Sequence, residues 1–177
     1  MRLPIVLLIC NLLAGAILDI RHGLSPAERT LTRHLERQAP GELLAAQELQ
    51  SGRPHAAGWS LVCVRGPFEG SFNGHARGAS PRAHAAVVTK ALDRINAELA
   101  RHDPVNGEGE WEIIFGSTRS VDKFVIDAHQ VSFEPPPVKC VPYEDAAFTR
   151  AELSDYPFGT GITLTDRSDS GHRLSTN

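Results

Sequence analysis

Several chemistries have nothing to stand on in this chain. It contains no His-Glu-x-x-His, no paired Cys-x-x-Cys and no acidic calcium loop of the EF-hand type, so its eight histidines (22, 34, 55, 75, 84, 102, 129 and 172) suggest no metal centre. There is no Gly-x-Ser-x-Gly turn to expose a serine nucleophile and no dinucleotide or Walker glycine pattern, and no cofactor is expected. A basic surplus is also missing. The 18 Lys and Arg stand against 21 Asp and Glu, and aromatics make up only 6% of the residues. A nucleic-acid partner, which needs a cationic face with interleaved aromatics, is therefore excluded. Past the first eighteen residues no apolar run is long enough to cross a bilayer.

What is present begins at the amino terminus. Arg2 supplies a positive start, Leu3 to Leu13 an apolar stretch broken by Asn11, and Ala14-Gly15-Ala16 the small-x-small pattern of a signal-peptidase site. Residues 1–16 read as a signal peptide cut after Ala16, and the chain as secreted or periplasmic. The alternative is an anchor retained to Leu18. Leu3 to Leu18 would span only ~24 Å of a hydrocarbon core ~30 Å thick, so a membrane role arises only if this segment is kept. Ile9 before Cys10 does not suit a lipoprotein signal. The Asp19-Ile20-Arg21 run followed by Pro26 resembles the first aspartate region of prepilin peptidases, but no second span and no Gly-x-Gly-Asp run accompany it.

Three cysteines become two when the signal leaves with Cys10. Cys63 and Cys140 each lie in a β-prone run, and in an oxidising compartment they are expected to form one disulfide. Removing Arg2 leaves 17 basic against 21 acidic residues, a formal charge of −4. The mature length suits one compact domain.

The expected fold is α+β, a small antiparallel sheet of three to five strands packed on one long helix and preceded by a short helical hairpin. The hairpin occupies 25–52: Ser25 caps, Pro26 opens the first turn, Glu28 closes a capping box, and Pro40-Gly41 separates two helices. The domain runs from 58 to 165. Its strands are Trp59–Val64, Glu110–Phe115, Val121–Phe133, Val138–Val141 and an edge strand Gly159–Thr165. Thr149-x-x-Glu152 reads as the cap of one helical turn, and 166–177 as a disordered tail. Pro81–His102 is the strongest helix, with Val88, Leu92, Ile95 and Leu99 on one stripe expected to pack on Trp111, Ile113 and Phe115. Two registers stay open for the long third strand: Val125, Val131 and Phe133 inward, or Phe124, Ile126 and Ala128 inward with a switch near Gln130.

One region carries a physical case for a ligand. The glycine-rich loop from Gly66 to Ser80 feeds a helix N-terminus, where Gly78 and Ser80 offer free amides and Arg77 and Arg82, with His75 and His84, offer charge to a small anion. Asp127 and His129, two apart on a strand, are a candidate acid-base pair, and His75 is the other histidine a hydrolase could use; the carboxylate pairs Glu110 with Glu112 and Glu144 with Asp145 carry no better case.

The order strand, long helix, then antiparallel strands, with the run Cys140-x-x-Tyr143-Glu144-Asp145-Ala146-Ala147 and the helix core Ala91-Leu92-Asp93-Arg94-Ile95-Asn96, resembles the cystatin superfamily. That resemblance implies a cystatin-like fold and, in function, protease inhibition. The family's protease-binding Gln-x-Val-x-Gly is absent, since Gln130-Val131-Ser132 does not fit it, and no Pro-Trp pair follows. The reading the residues favour is an exported, disulfide-stabilised domain with a non-enzymatic binding role, its partner a protein or a small anionic ligand. A small secreted hydrolase, a cystatin-like inhibitor and a membrane-tethered accessory protein are the alternatives.

Overall fold

The computed structural model describes residues 24–49, 58–72, 82–102, 109–133, 139–150 and 160–170. Helix α1 (Pro26–Arg37) forms as its cap foretells: Ser25 Oγ accepts the Glu28 amide at 3.3 Å while Glu28 Oε2 accepts the Ser25 amide at 2.6 Å. Its last turn ends at Gln38, and Gly41, at a φ of 75° that side chains other than glycine rarely adopt, reverses the chain. The second half of the expected hairpin opens as a strand and keeps only one helical turn. Strand β1 (Leu43–Ala45) pairs with β7 (Ala146–Arg150) and is followed by the single turn α2 (Ala46–Leu49). Apolar residues in this segment satisfied a helical pattern, but a sheet edge was available to pair the backbone of β1.

The expected single sheet is two. In the first, β4 (Val121–Asp127), β3 (Glu110–Gly116), β2 (Leu61–Arg65) and β6 (Cys140–Pro142) lie side by side, all antiparallel. In the second the order is β1, β7, β8 (Thr160–Asp166) and β5 (Val131–Phe133), with β5 and β8 parallel. The segment from Val121 to Phe133 is therefore two strands in two sheets. Between them Gln130 donates its amide to the Asp127 carbonyl at 3.1 Å, closing a turn where the sequence had suggested a bulge. Phe124 and Ile126 face inward before the turn, Val131 and Phe133 after it, so each register holds for half of the segment. Residues of Gly159–Thr165 do form a strand, yet β8 sits between β7 and β5 and is not an edge. Thr149 belongs to β7, and the helical turn expected to follow it, with Glu152, lies outside the described residues. Asp166 ends β8 and Arg167–Ser170 adds a last helical turn, α4, at the start of the expected disordered tail, the rest of which, 171–177, lies outside the described residues.

Alternation sorts the core into two layers. Val62, Val64, Ile113, Phe115, Phe124 and Ile126 from the first sheet meet Phe133, Phe148, Ile162 and Leu164 from the second, and Leu31 and Leu35 of α1 join them. Phe115 packs edge-on against Phe124 and Tyr143, with ring centroids 5.7 and 6.1 Å away. The opposite face of the first sheet presents Leu61, Cys63, Ile114 and Cys140 to the long helix α3 (Arg82–His102), whose Val88, Ala91, Leu92, Ile95 and Leu99 cover them. The helical stripe is as expected, but its partner is not. Trp111, Ile113 and Phe115 share the other parity and belong to the core between the sheets. Gly116 allows the helix to approach closely: a β-carbon there would lie 2.5 Å from Ile95 Cδ1.

Cys63 and Cys140 are register partners on β2 and β6 and are bonded, with Cα atoms 4.0 Å apart. Because Val64 donates to the Lys139 carbonyl and Tyr143 to that of Ser60, the two cysteines occupy a non-hydrogen-bonded pair, where cross-strand side chains come closest. Among the described residues no helix is long and apolar enough to cross a membrane.

Candidate functional site

Gly78, Ser80 and Arg77, three of the four residues expected to hold an anion, lie outside the described residues; Arg82 opens α3, but its side chain lies outside them too. His75 is likewise outside. His129 is exposed in the turn after β4, and Asp127 Oδ1 accepts the backbone amide of His129 at 2.9 Å. That carboxylate oxygen is committed to an Asx-type turn, which accounts for the Asp-x-His spacing without acid-base chemistry.

Two polar constellations emerge that the sequence did not announce. The first is buried. Arg65 at the end of β2 stands opposite Glu112 of β3 in register, and Nε and Nη2 approach Glu112 Oε2 at 2.6 and 2.5 Å. Both side chains are shut off from solvent, 0% and 1% exposed. Lys123 Nζ of β4 lies 2.7 Å from Glu112 Oε1 without hydrogen-bond alignment, a charge contact at the sheet margin. Arg65 also contributes to the field at Glu69. Burial pushes the Glu69 carboxyl up, but the Lys139 ammonium bonded to it, the Gly66 amide and Arg65 together hold it below the usual range. Placed on the helix-covered parity of the sheet, these charges are paired and tie β2, β3 and β4 together.

The second constellation is open. A groove of about 450 Å³ runs along α1, lined by Thr30, Arg33, His34 and Arg37 on one side and by Gln38, Glu42 and Leu44 on the other. The helical residues sit at i, i+3, i+4 and i+7, so they form one stripe, opposite in role to the buried Leu31 and Leu35. Arg33, His34 and Arg37 are exposed and meet no carboxylate among the described residues. The other wall is rigidly built. Gln38, 4% exposed, donates through Nε2 to the carbonyls of Glu42 at 2.5 Å and Phe148 at 2.7 Å, joining α1 to β1 and β7. Arg150 donates to the Gln38 carbonyl at 2.9 Å, neutralising the negative end of the helix. Glu42 Oε2 accepts the Ala39 amide at 2.8 Å. Gln38 Oε1 is buried with no hydrogen-bond partner among the described residues.

The stripe Thr30-Arg33-His34-Arg37 was visible as a spacing. Its facing wall was not, because Glu42 and Leu44 reach the helix only through the chain reversal at Gly41 and the pairing of β1 with β7. No protein-family model, no curated protein and no solved structure matches this chain.

Proposed function

We propose that the chain is an exported, disulfide-stabilised α+β domain that acts by binding a partner, not by catalysis. The observation that carries the reading is the Cys63–Cys140 bond, which joins two buried strands and uses the pair of cysteines left once a leader containing Cys10 is removed. Such bonds persist in oxidising compartments and are rare where thiols are kept reduced. Binding is favoured over hydrolysis because Asp127 is engaged in a local turn beside an exposed His129, while the buried Glu112 carboxylate is already held by Arg65 and Lys123. The partner is a protein or a small anionic ligand. Attachment to a membrane would follow only from retention of the amino-terminal segment.

The reading is tested by expressing the full chain with its own first residues in a secreting host, sequencing the mature amino terminus and counting thiols. The expected product begins at Ile17 and shows free thiols only after reduction. A product that still begins at Met1, or one with two titratable thiols before reduction, would overturn it.

A further inference from the structure

We infer that the groove along α1 is a binding site for a small sugar-like molecule bearing a phosphate or sulfate ester. Its location is distinct from the loop that the sequence had suggested, and it does not depend on whether the chain is exported.

The argument begins with charge. A chain with an acidic surplus places Arg33, His34 and Arg37 side by side on one groove and gives none of them a carboxylate partner among the described residues. Several cations elsewhere are paired: Arg65 and Lys123 meet Glu112, Lys139 meets Glu69, and Arg101 lies 3.9 Å from Glu98, while Lys90, Arg94 and Arg119 also meet no carboxylate among the described residues. Arg33 and Arg37 are one helical turn apart, and His34 lies between them on the same stripe. Three separate cationic or donor groups suit a tetrahedral oxyanion, which presents three free oxygens when held as an ester.

The rest of the lining defines what is esterified. Glu42, the one acidic residue of the groove, would repel a second anionic group, but a carboxylate accepts hydrogen bonds from hydroxyls. Its backbone and one of its oxygens are already fixed, by Gln38 Nε2 and the Ala39 amide, so it stands as a pre-oriented acceptor. Leu44, 5% exposed, adds a small apolar contact. The volume of about 450 Å³ falls within the range of small-ligand pockets and exceeds what a bare inorganic anion would fill. Cations at one side, and a hydroxyl acceptor with a small apolar contact at the other, describe a phosphorylated or sulfated polyol of roughly monosaccharide size.

The test is a titration of the isotopically labelled protein, followed by amide chemical shifts, with glucose 6-phosphate, glucose 6-sulfate, glucose and inorganic sulfate as separate probes. The two esters are expected to shift amides between Thr30 and Leu44 along saturating curves, glucose to shift none, and inorganic sulfate to bind at least about tenfold more weakly than either ester. Arg33→Glu and Arg37→Glu, exposed positions whose replacement leaves the core untouched, should each weaken ester binding about tenfold or more, and added salt should weaken it further. Preference for one ester over the other tells the two sources of the anion apart. Inorganic sulfate binding as tightly as the esters would overturn the sugar assignment, and ester-induced shifts confined to other segments, or none, would overturn the site. Neither outcome bears on export, which the mature amino terminus decides.

Discussion

Replacing both Cys63 and Cys140 by alanine should remove the largest single constraint on the unfolded chain. The bond links residues 77 apart, and the loop-entropy relation gives about 4.5 kcal/mol at room temperature for a separation of that size. This is an upper figure, because engineered and native bridges commonly deliver less. The native side adds a local effect. β6 has only three residues, Cys140–Pro142, and lies at the edge of its sheet with β2 as its one strand neighbour there, so the disulfide bears much of the burden of holding it in place. The double variant should therefore lose about 2 to 4.5 kcal/mol in urea unfolding. Its hydrogen exchange should quicken at Val141 well before it does at Ile114, which lies inside the sheet on β3. A loss of under about 1 kcal/mol, or unchanged protection at Val141, would refute the idea that the bridge secures β6.

Gly116→Ala should destabilise by about 1 to 3 kcal/mol, because its β-carbon would lie 2.5 Å and 2.7 Å from two carbons of a fully buried Ile95. Combined with Ile95→Ala it should cost less than the two single changes together, which thermal unfolding of all four proteins can measure. Glu112→Ala should cost about 3 to 5 kcal/mol, since it strips the buried Arg65 of a carboxylate at 2.5 Å, whereas Lys123→Ala, removing a partly exposed cation, should cost about 1 kcal/mol or less by the same denaturation assay. The folded-state pKa of Glu69 lies below its unfolded value, so its contribution is present above the unfolded pKa and is lost as pH falls through the folded one. Unfolding midpoints measured down the acid limb should thus fall less steeply in Glu69→Gln than in the parent chain; equal slopes would contradict the ion pair with Lys139.

Local physical chemistry was written into the sequence wherever a signal involves neighbours along the chain. Ser25, Pro26 and Glu28 carry the start of α1 in four residues, and the capping box forms as read. Val88, Leu92, Ile95 and Leu99 recur at helical spacing, and all four are buried. Two cysteines in β-prone runs foretold their bond, because little else in an oxidising setting would pair them. What the spacing could not say was which surface each stripe would meet. Trp111, Ile113 and Phe115 alternate perfectly with Glu112, Ile114 and Gly116, and both parities are well covered, so either could have faced α3.

The tertiary structure made that choice by adding a second sheet. Leu43–Ala45 became a strand because β7 offered an open edge, and the turn at Ala128–Gln130 sent one predicted strand into two layers. The same folding put Glu42 and Leu44 opposite Arg33 and Arg37, turning an ordinary polar helix face into a groove, and set Arg65 against Glu112 across strands 47 residues apart in sequence. Composition, caps and periodicity therefore determined the two long helices, the cysteine pair and the balance of charge, since each depends on contacts a few residues long or on simple counts. Sheet partnership, the parity facing α3 and both polar constellations depend on long-range pairing, in which a strand of fixed alternation can satisfy several partners until the whole core decides among them.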